Sequence, residues 1–295
     1  MEETPEIFKS SDDNIKSDLE QTQTPESEME QLLNILKVGT KEISKKQKVL
    51  PLTDNGRVDM TAYKDIYSDI EADCQWIKGK EQEYQQNNKT TKQQQINGQL
   101  AELITPRVFY KLLHEKYYVV RSSRYDDIKN HVDTLIIDKS SGEIVCSMDE
   151  STAFDKTIVQ NKSQNIYRQN LKGVELKYAF KIEKVKNIPH LVLGKAEQTP
   201  FFYLPVDIDG IYNSREEIQT NDLGKISNYD IKAFNAWMQL MERQLNNLRE
   251  FYKNNPTTTD ISELIKKADN FIKDVTKEHS RILQKESTLT TTAKT

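Results

Sequence analysis

The chain has 295 residues, of which 36% are hydrophobic and 30% charged, with a mean hydropathy of −0.77 and a net charge of −4. That predicts long stretches of solvated helix or disorder around a smaller core; no apolar run approaches the roughly 18 residues a membrane span requires. Two cysteines, Cys74 and Cys146, with no C-x-x-C, exclude a disulfide framework and a cysteine zinc site.

The opening residues, 1–26, carry Glu, Asp, Ser, Thr and Gln, with two Thr-Pro steps, and read as a disordered acidic tail. They lack the apolar core of a secretory signal, so a reducing cytoplasm is the expected setting. Residues 27–98 read as a helical arm and linker. "SEMEQLLNILKVG" has Ser27 and Glu30 at capping-box spacing, an apolar face of Met29, Leu32, Leu33 and Leu36, and Gly39 as its stop. A second helix is expected from Met60 to about Gln86, followed by the polar run "QQNNKTTKQQQING" as linker or exposed helix.

Residues 99–227 change character. "LAELITPRVFYKLLHEK" is helical, with Pro106 kinking it or opening a new segment. "YYVVRSS" reads as a strand. "TLII" and "EIVCSM" flank the turn formers of "DKSSGE" and predict a β-hairpin. Phe154, Ile158, Ile166 and Leu171 suggest a helix ended by Gly173, and "VELKYAFKI" and "HLVLGK…TPFFYLPV" return to strand. The expected class is α/β (α+β): a central mixed sheet in an α-β-β-β-α-β core, flanked by N-terminal helices and a C-terminal helical hairpin. That hairpin, 228–286, follows from the three–four spacing of Ile231, Phe234, Met238, Met241, Leu245, Leu248 and Tyr252, resumed by Ile261, Leu264, Ala268, Phe271 and Val275. Its seam would pack on the body, dimerise the chain or dock a protein partner. Residues 287–295 form a second disordered tail.

Folding the hairpin about Ser140 and Ser141 brings Asp133 beside position 148 or 149, so Asp133, Asp149 and Glu150 gather at one end of two paired strands. Carboxylates crowded in that way need a cation, a shared proton or open solvent. Strand parity places Asp149 with Val145 and Ser147, and Glu150 with Ile144, Cys146 and Met148; a one-residue slip exchanges the faces. Asp126 and Asp127 either assist this site or close a loop, and His131 is read as a surface imidazole. No phosphate-binding loop, dinucleotide fingerprint, H-E-x-x-H or nucleophile-elbow motif is present.

These residues resemble the PD-(D/E)xK nuclease superfamily over roughly Gln99 to Leu204. The runs "RYDDIKNHVD" and "SGEIVCSMDE" also resemble bacterial proteins that look like relatives of it. The resemblance implies a divalent-metal-dependent phosphodiesterase using Mg²⁺ or Mn²⁺. Asp133, Asp149 and Glu150 would be its metal ligands, and Glu102 the supporting acid on the first helix. Ser151 stands where the superfamily has its lysine. Lys177, from the E-x-K of "VELKY" on the next strand, would replace it, or else Lys156 or Lys162. The same departure sustains an alternative: a nuclease-like scaffold without chemistry, serving as a nucleic-acid-binding or protein-interaction module. A charge asymmetry bears on either reading. Residues 1–30 hold ten acidic and two basic residues, whereas residues 105–195 hold eleven acidic and sixteen basic ones. A basic middle suits nucleic acid, with Arg121, Arg124, Lys162, Arg168 and Lys172 as phosphate contacts, although a solvated lysine-rich face has the same composition.

Overall fold

In the computed structural model a four-stranded sheet separates two layers of core. The described residues are 25–87, 91–152, 169, 170, 173–186, 188–220, 222–254 and 261–292. The sheet runs in the order β1 (Tyr117–Arg121), β2 (Thr134–Asp138), β3 (Ile144–Ser151) and β6 (Phe201–Pro205). The first three strands are antiparallel neighbours, and β6 joins β3 in parallel. Between them in sequence, β4 (Val174–Val185) and β5 (Ile188–Thr199) form a separate two-stranded antiparallel ribbon. The α/β class and the mixed sheet are as expected. The strand after the hairpin, however, does not extend the sheet; β6 takes that place.

Both faces of the central strands are apolar, and each meets its own layer. Val119, Ile136, Cys146, Met148, Phe202 and Leu204 face a layer of helices. These are α1 (Pro25–Lys46), α3 (Lys92–Leu113), α7 (Asn228–Asn254) and α8 (Ser262–Thr292). Val120, Leu135, Ile137, Ile144, Phe201 and Tyr203 face the ribbon, a 3-10 turn at Met60–Tyr63 and α2 (Ile70–Asn87). Three short helices complete the chain: α4 (Arg124–Asn130), α5 (Ile208–Asn213) and α6 (Arg215–Gln219).

Local chemistry explains the boundaries. The first helix passes Gly39 and continues to Lys46, because Thr40, Ile43 and Ser44 are buried beyond it and tertiary packing outweighs one glycine. The helix expected from Met60 is broken: a 3-10 turn capped by Asp59 comes first, and α2 starts only at Ile70. The polar linker instead opens α3, where Thr91 and Gln94 form a reciprocal capping box, and Pro106 lies inside one continuous helix. At the β2–β3 turn Gly142 has φ +73°, and a Cβ there would lie 1.8 Å from the Ile182 carbonyl oxygen. The absent side chain lets the turn accept a 3.0 Å hydrogen bond from the Ile182 amide, which ties the ribbon to the sheet.

The C-terminal seam is consumed within the chain. Phe234, Met238, Met241, Leu245, Phe271 and Val275 belong to the same core as α3 and the sheet. Asp133 to Glu150, the expected site, therefore sits at the end of a sheet covered on both faces. The expected helix over Phe154 to Leu171 lies outside the described residues except for Gln169 and Asn170, as do residues 1–24 and 293–295 of the two tails.

Candidate functional site

The hairpin register places Thr134 opposite Met148 and Leu135 opposite Ser147. Continuing it by one residue sets Asp133 across from Asp149, and the Asp133 amide donates to the Met148 carbonyl at 2.8 Å. Asp133 is 8% exposed, and its Oδ2 accepts a 2.8 Å hydrogen bond from the Glu150 amide. Glu150 is 7% exposed, and among the described residues its carboxyl oxygens have only Asp133 and Thr134 as polar neighbours, neither at full hydrogen-bond geometry. Asp149 shares the ribbon-side face with its neighbour Tyr203, whereas Glu150 has the parity of Met148, on the helix side. The three acids thus come together at one sheet end, but Asp149 and Glu150 leave the backbone on opposite faces.

Electrostatics decides their protonation. Burial pushes the Asp133 carboxyl well above the usual carboxylate range, and the negative charges of Asp127, Asp149 and Glu102 push it further. Burial likewise raises Glu150, with Asp133 adding to the effect. Each carboxyl of such a buried pair raises the other, because like charges close together disfavour ionisation.

Counter-charge arrives from a segment the sequence did not single out. Arg57, 9% exposed at its side chain, reaches Glu102 at 3.1 Å and Asp127 at 2.8 Å. Arg121 also pairs with Glu102. Burial and the neighbouring Arg57 charge push the Arg121 guanidinium down to about 10, while Glu102, Asp127 and Asp133 hold it up. A parallel bridge between Arg57 and Arg121, with the Val58 amide donating to the Arg121 carbonyl at 3.0 Å, fixes the two arginines side by side. Glu102 is therefore present beside Asp133, as expected, but two guanidinium groups already engage it. Arg57 is separated from Glu102 by 45 residues, and no local periodicity marks it; only the turn residues "TDNG" before it hint at a fixed backbone.

Lys177 has a different partnership from the one expected. Its ammonium contacts Asp69 at 2.7 Å and Asp73 at 2.5 Å, and lies 5.3–5.6 Å from the ring centres of Tyr67, Tyr125 and Tyr178. It fastens the ribbon to α2. Its backbone amide is held by Asp126, which also accepts from Ser123, Asn130 and the Tyr178 amide. Asp126 thus organises α4 and the start of β4, while Asp127 belongs to the arginine cluster. His131 is the left-handed C-cap of α4, with φ 55°. Lys156, Lys162, Arg168 and Lys172 lie outside the described residues.

Glu102 and Arg121 open onto a groove of about 1300 Å³ beside α3. Lys37, Arg57 and Arg124 add positive charge to its walls, against Asp54 and Glu81. Arg124 bonds Glu81 at 2.7 Å and Asp127 at 2.6 Å. Gln85, Gln94, Gln95 and Gln99 supply amides on the same walls. Among the described residues no group of three His, Cys, Asp or Glu side chains could hold a metal ion. Against a divalent ion stand two facts of geometry: Glu102 is engaged by Arg57 and Arg121, and Asp149 and Glu150 leave β3 on opposite faces. Nor, among the described residues, is any helix long and apolar enough to cross a membrane.

Compared with protein-family models, with curated proteins and with solved structures, the chain matches none. The likeness to the nuclease superfamily is carried by the residues quoted above and by nothing else.

Proposed function

We propose that the chain is a nuclease-like α/β scaffold that binds nucleic acid in the groove beside α3 and does not hydrolyse it. The observation that supports this reading is the pair of guanidinium groups, Arg57 and Arg121, seated among Glu102, Asp127 and Asp133. A metal-dependent phosphodiesterase needs ionised carboxylates with free lone pairs facing a cation and the scissile phosphate. Here Glu102 is engaged by two arginines, and burial raises the carboxyls of Asp133 and Glu150. The groove carries four cationic side chains against three acidic ones, with amides between them, a lining suited to a polyanion with hydrogen-bonding bases. Cys74 and Cys146 are unpaired, in keeping with a reducing cytoplasm.

Binding to a labelled single-stranded oligonucleotide, read by anisotropy over a salt series, tests the proposal. Lys37→Glu, at an exposed wall position, should weaken binding several-fold and lower the salt slope by about 1. Unchanged affinity and slope would remove the groove from the interaction.

The second reading is hydrolysis with Mg²⁺ or Mn²⁺ held by Asp133, Asp149 and Glu150. The gathering of Asp133, Asp149 and Glu150 at one end of the sheet favours it. Thermal melting with and without Mn²⁺ separates the two readings. Binding without chemistry predicts no Asp133-dependent rise in Tm and no cleavage of DNA or RNA. A rise abolished by Asp133→Ala, or cleavage lost in the Asp133→Ala, Asp149→Ala double variant, would establish the hydrolase.

A further inference from the structure

A second concavity, of about 270 Å³, lies where the ribbon and α8 meet the start of β3. It is distinct from the groove: Ile144 lines it, and six residues of strand, roughly 20 Å, separate Ile144 from Glu150. Its walls are apolar at Ile144, Phe180 and Leu193. Three lysines, Lys181, Lys195 and Lys267, stand against two glutamates, Glu143 and Glu197, so the lining carries a net positive charge.

Two groups there lack a good partner. Lys267, on α8, is 30% exposed at its side chain, and Glu143 approaches it only to 4.0 Å, the limit of an ion pair. Burial pulls the Lys267 ammonium below the usual lysine range. Thr199 lines the same concavity, is 1% exposed, and its buried hydroxyl has no hydrogen-bond partner. An unmet hydroxyl of this kind is costly to bury, and an anion would satisfy it as well as the lysine.

We propose that this concavity binds a small carboxylate with an apolar body. The carboxylate pairs with the Lys267 ammonium and accepts from the Thr199 hydroxyl, and the body lies on Ile144, Phe180 and Leu193. The volume admits a molecule of about ten non-hydrogen atoms or fewer, just below the usual range of ligand pockets. Monoanionic charge follows from the same lining, whose three ammonium groups exceed its two carboxylates by a single charge.

Hexanoate is a suitable probe, titrated into the full chain by calorimetry and thermal melting, with hexan-1-ol and inorganic phosphate at matched ionic strength as comparators. Hexanoate should bind and raise Tm, and both comparators should do so less. Lys267→Met should weaken hexanoate about tenfold, the loss of one charge-assisted hydrogen bond. Glu143→Gln, at a turn position whose side chain is 53% exposed, removes the competing carboxylate and should tighten hexanoate. Hexan-1-ol or phosphate binding as well as hexanoate would overturn the proposal. So would unchanged affinity in Lys267→Met, or, should that variant fail to fold, affinity in Glu143→Gln that fails to rise.

Discussion

Two buried charge clusters stand on α3, and they are unbalanced in opposite directions. Around Glu102 the acids outnumber the cations by one: Glu102, Asp127, Asp133 and Glu150 face Arg57, Arg121 and Arg124. Around Lys111, nine residues and about 13 Å further along the helix, the cations are in excess. There Lys111 pairs with Asp230, both side chains 1% exposed, while all three guanidinium nitrogens of the adjacent Arg107 lack hydrogen-bond partners. Burial lowers the affinity of Arg107 and Lys111 for their protons, and Asp230 opposes this. The acid-rich cluster opens on a groove and can shed its excess by protonating carboxyls at accessible pH. The cation-rich cluster is sealed between α3 and the start of α7, and arginine cannot deprotonate there at any pH the fold meets. The first is thus a place where chemistry or binding can be tuned, and the second is structural.

The comparison breaks most sharply at Asp230. Asp230→Ala leaves Arg107 and Lys111 buried without a counter-ion and should cost about 3–5 kcal/mol in urea unfolding, enough to threaten the fold. Arg121→Met removes one of two guanidinium groups from Glu102, with Arg57 still in place, and should cost about 1–3 kcal/mol. Glu150→Gln sharpens the contrast through pH. The raised carboxyls of Asp133 and Glu150 keep their protons in the folded state at pH values where the unfolded chain has lost them. Their contribution is therefore greatest below the unfolded carboxyl range and is lost as pH rises through the folded values. The parent should lose stability as pH rises above the unfolded carboxyl range, and Glu150→Gln should flatten that slope. A slope unchanged in the variant would show that Glu150 is not the titrating group. The smallest effect is expected at Lys177, which divides its charge between the exposed Asp69, 55% accessible at its side chain, and the buried Asp73. Lys177→Met should cost about 1 kcal/mol through lost ion pairs and ring contacts, with no effect on oligonucleotide binding.

Much of the fold was legible because it rests on local pattern. The Asp138–Gly142 turn formers and the flanking β-branched runs specified the hairpin, and the three–four spacing from Ile231 to Val275 specified the helical pair. Parity along β3 also separates Asp149 from Glu150. The remainder depends on contacts between distant segments. The alternation of "VELKYAFKI" marks a strand but not its neighbour, so Lys177 was expected beside the carboxylates although Asp69 and Asp73 hold it elsewhere. Arg57 carries the main counter-charge of the site, and its role exists only once the bridge to Arg121 forms. Helix α4 is seven residues long, too short for periodicity to reveal, and its Ser123 cap shows only beside Asp126.

The parallel alignment of β3 with β6 has a kinetic consequence. Five residues link β2 to β3, whereas 49 separate β3 from β6. Closing the longer connection costs about 2 kcal/mol more in chain entropy. The hairpin should accordingly zip early, and its far edge should wait, with unpaired amides, until the segment ending at Pro205 has been made. During synthesis that waiting edge is the part of the nascent chain most exposed to pairing with a neighbour.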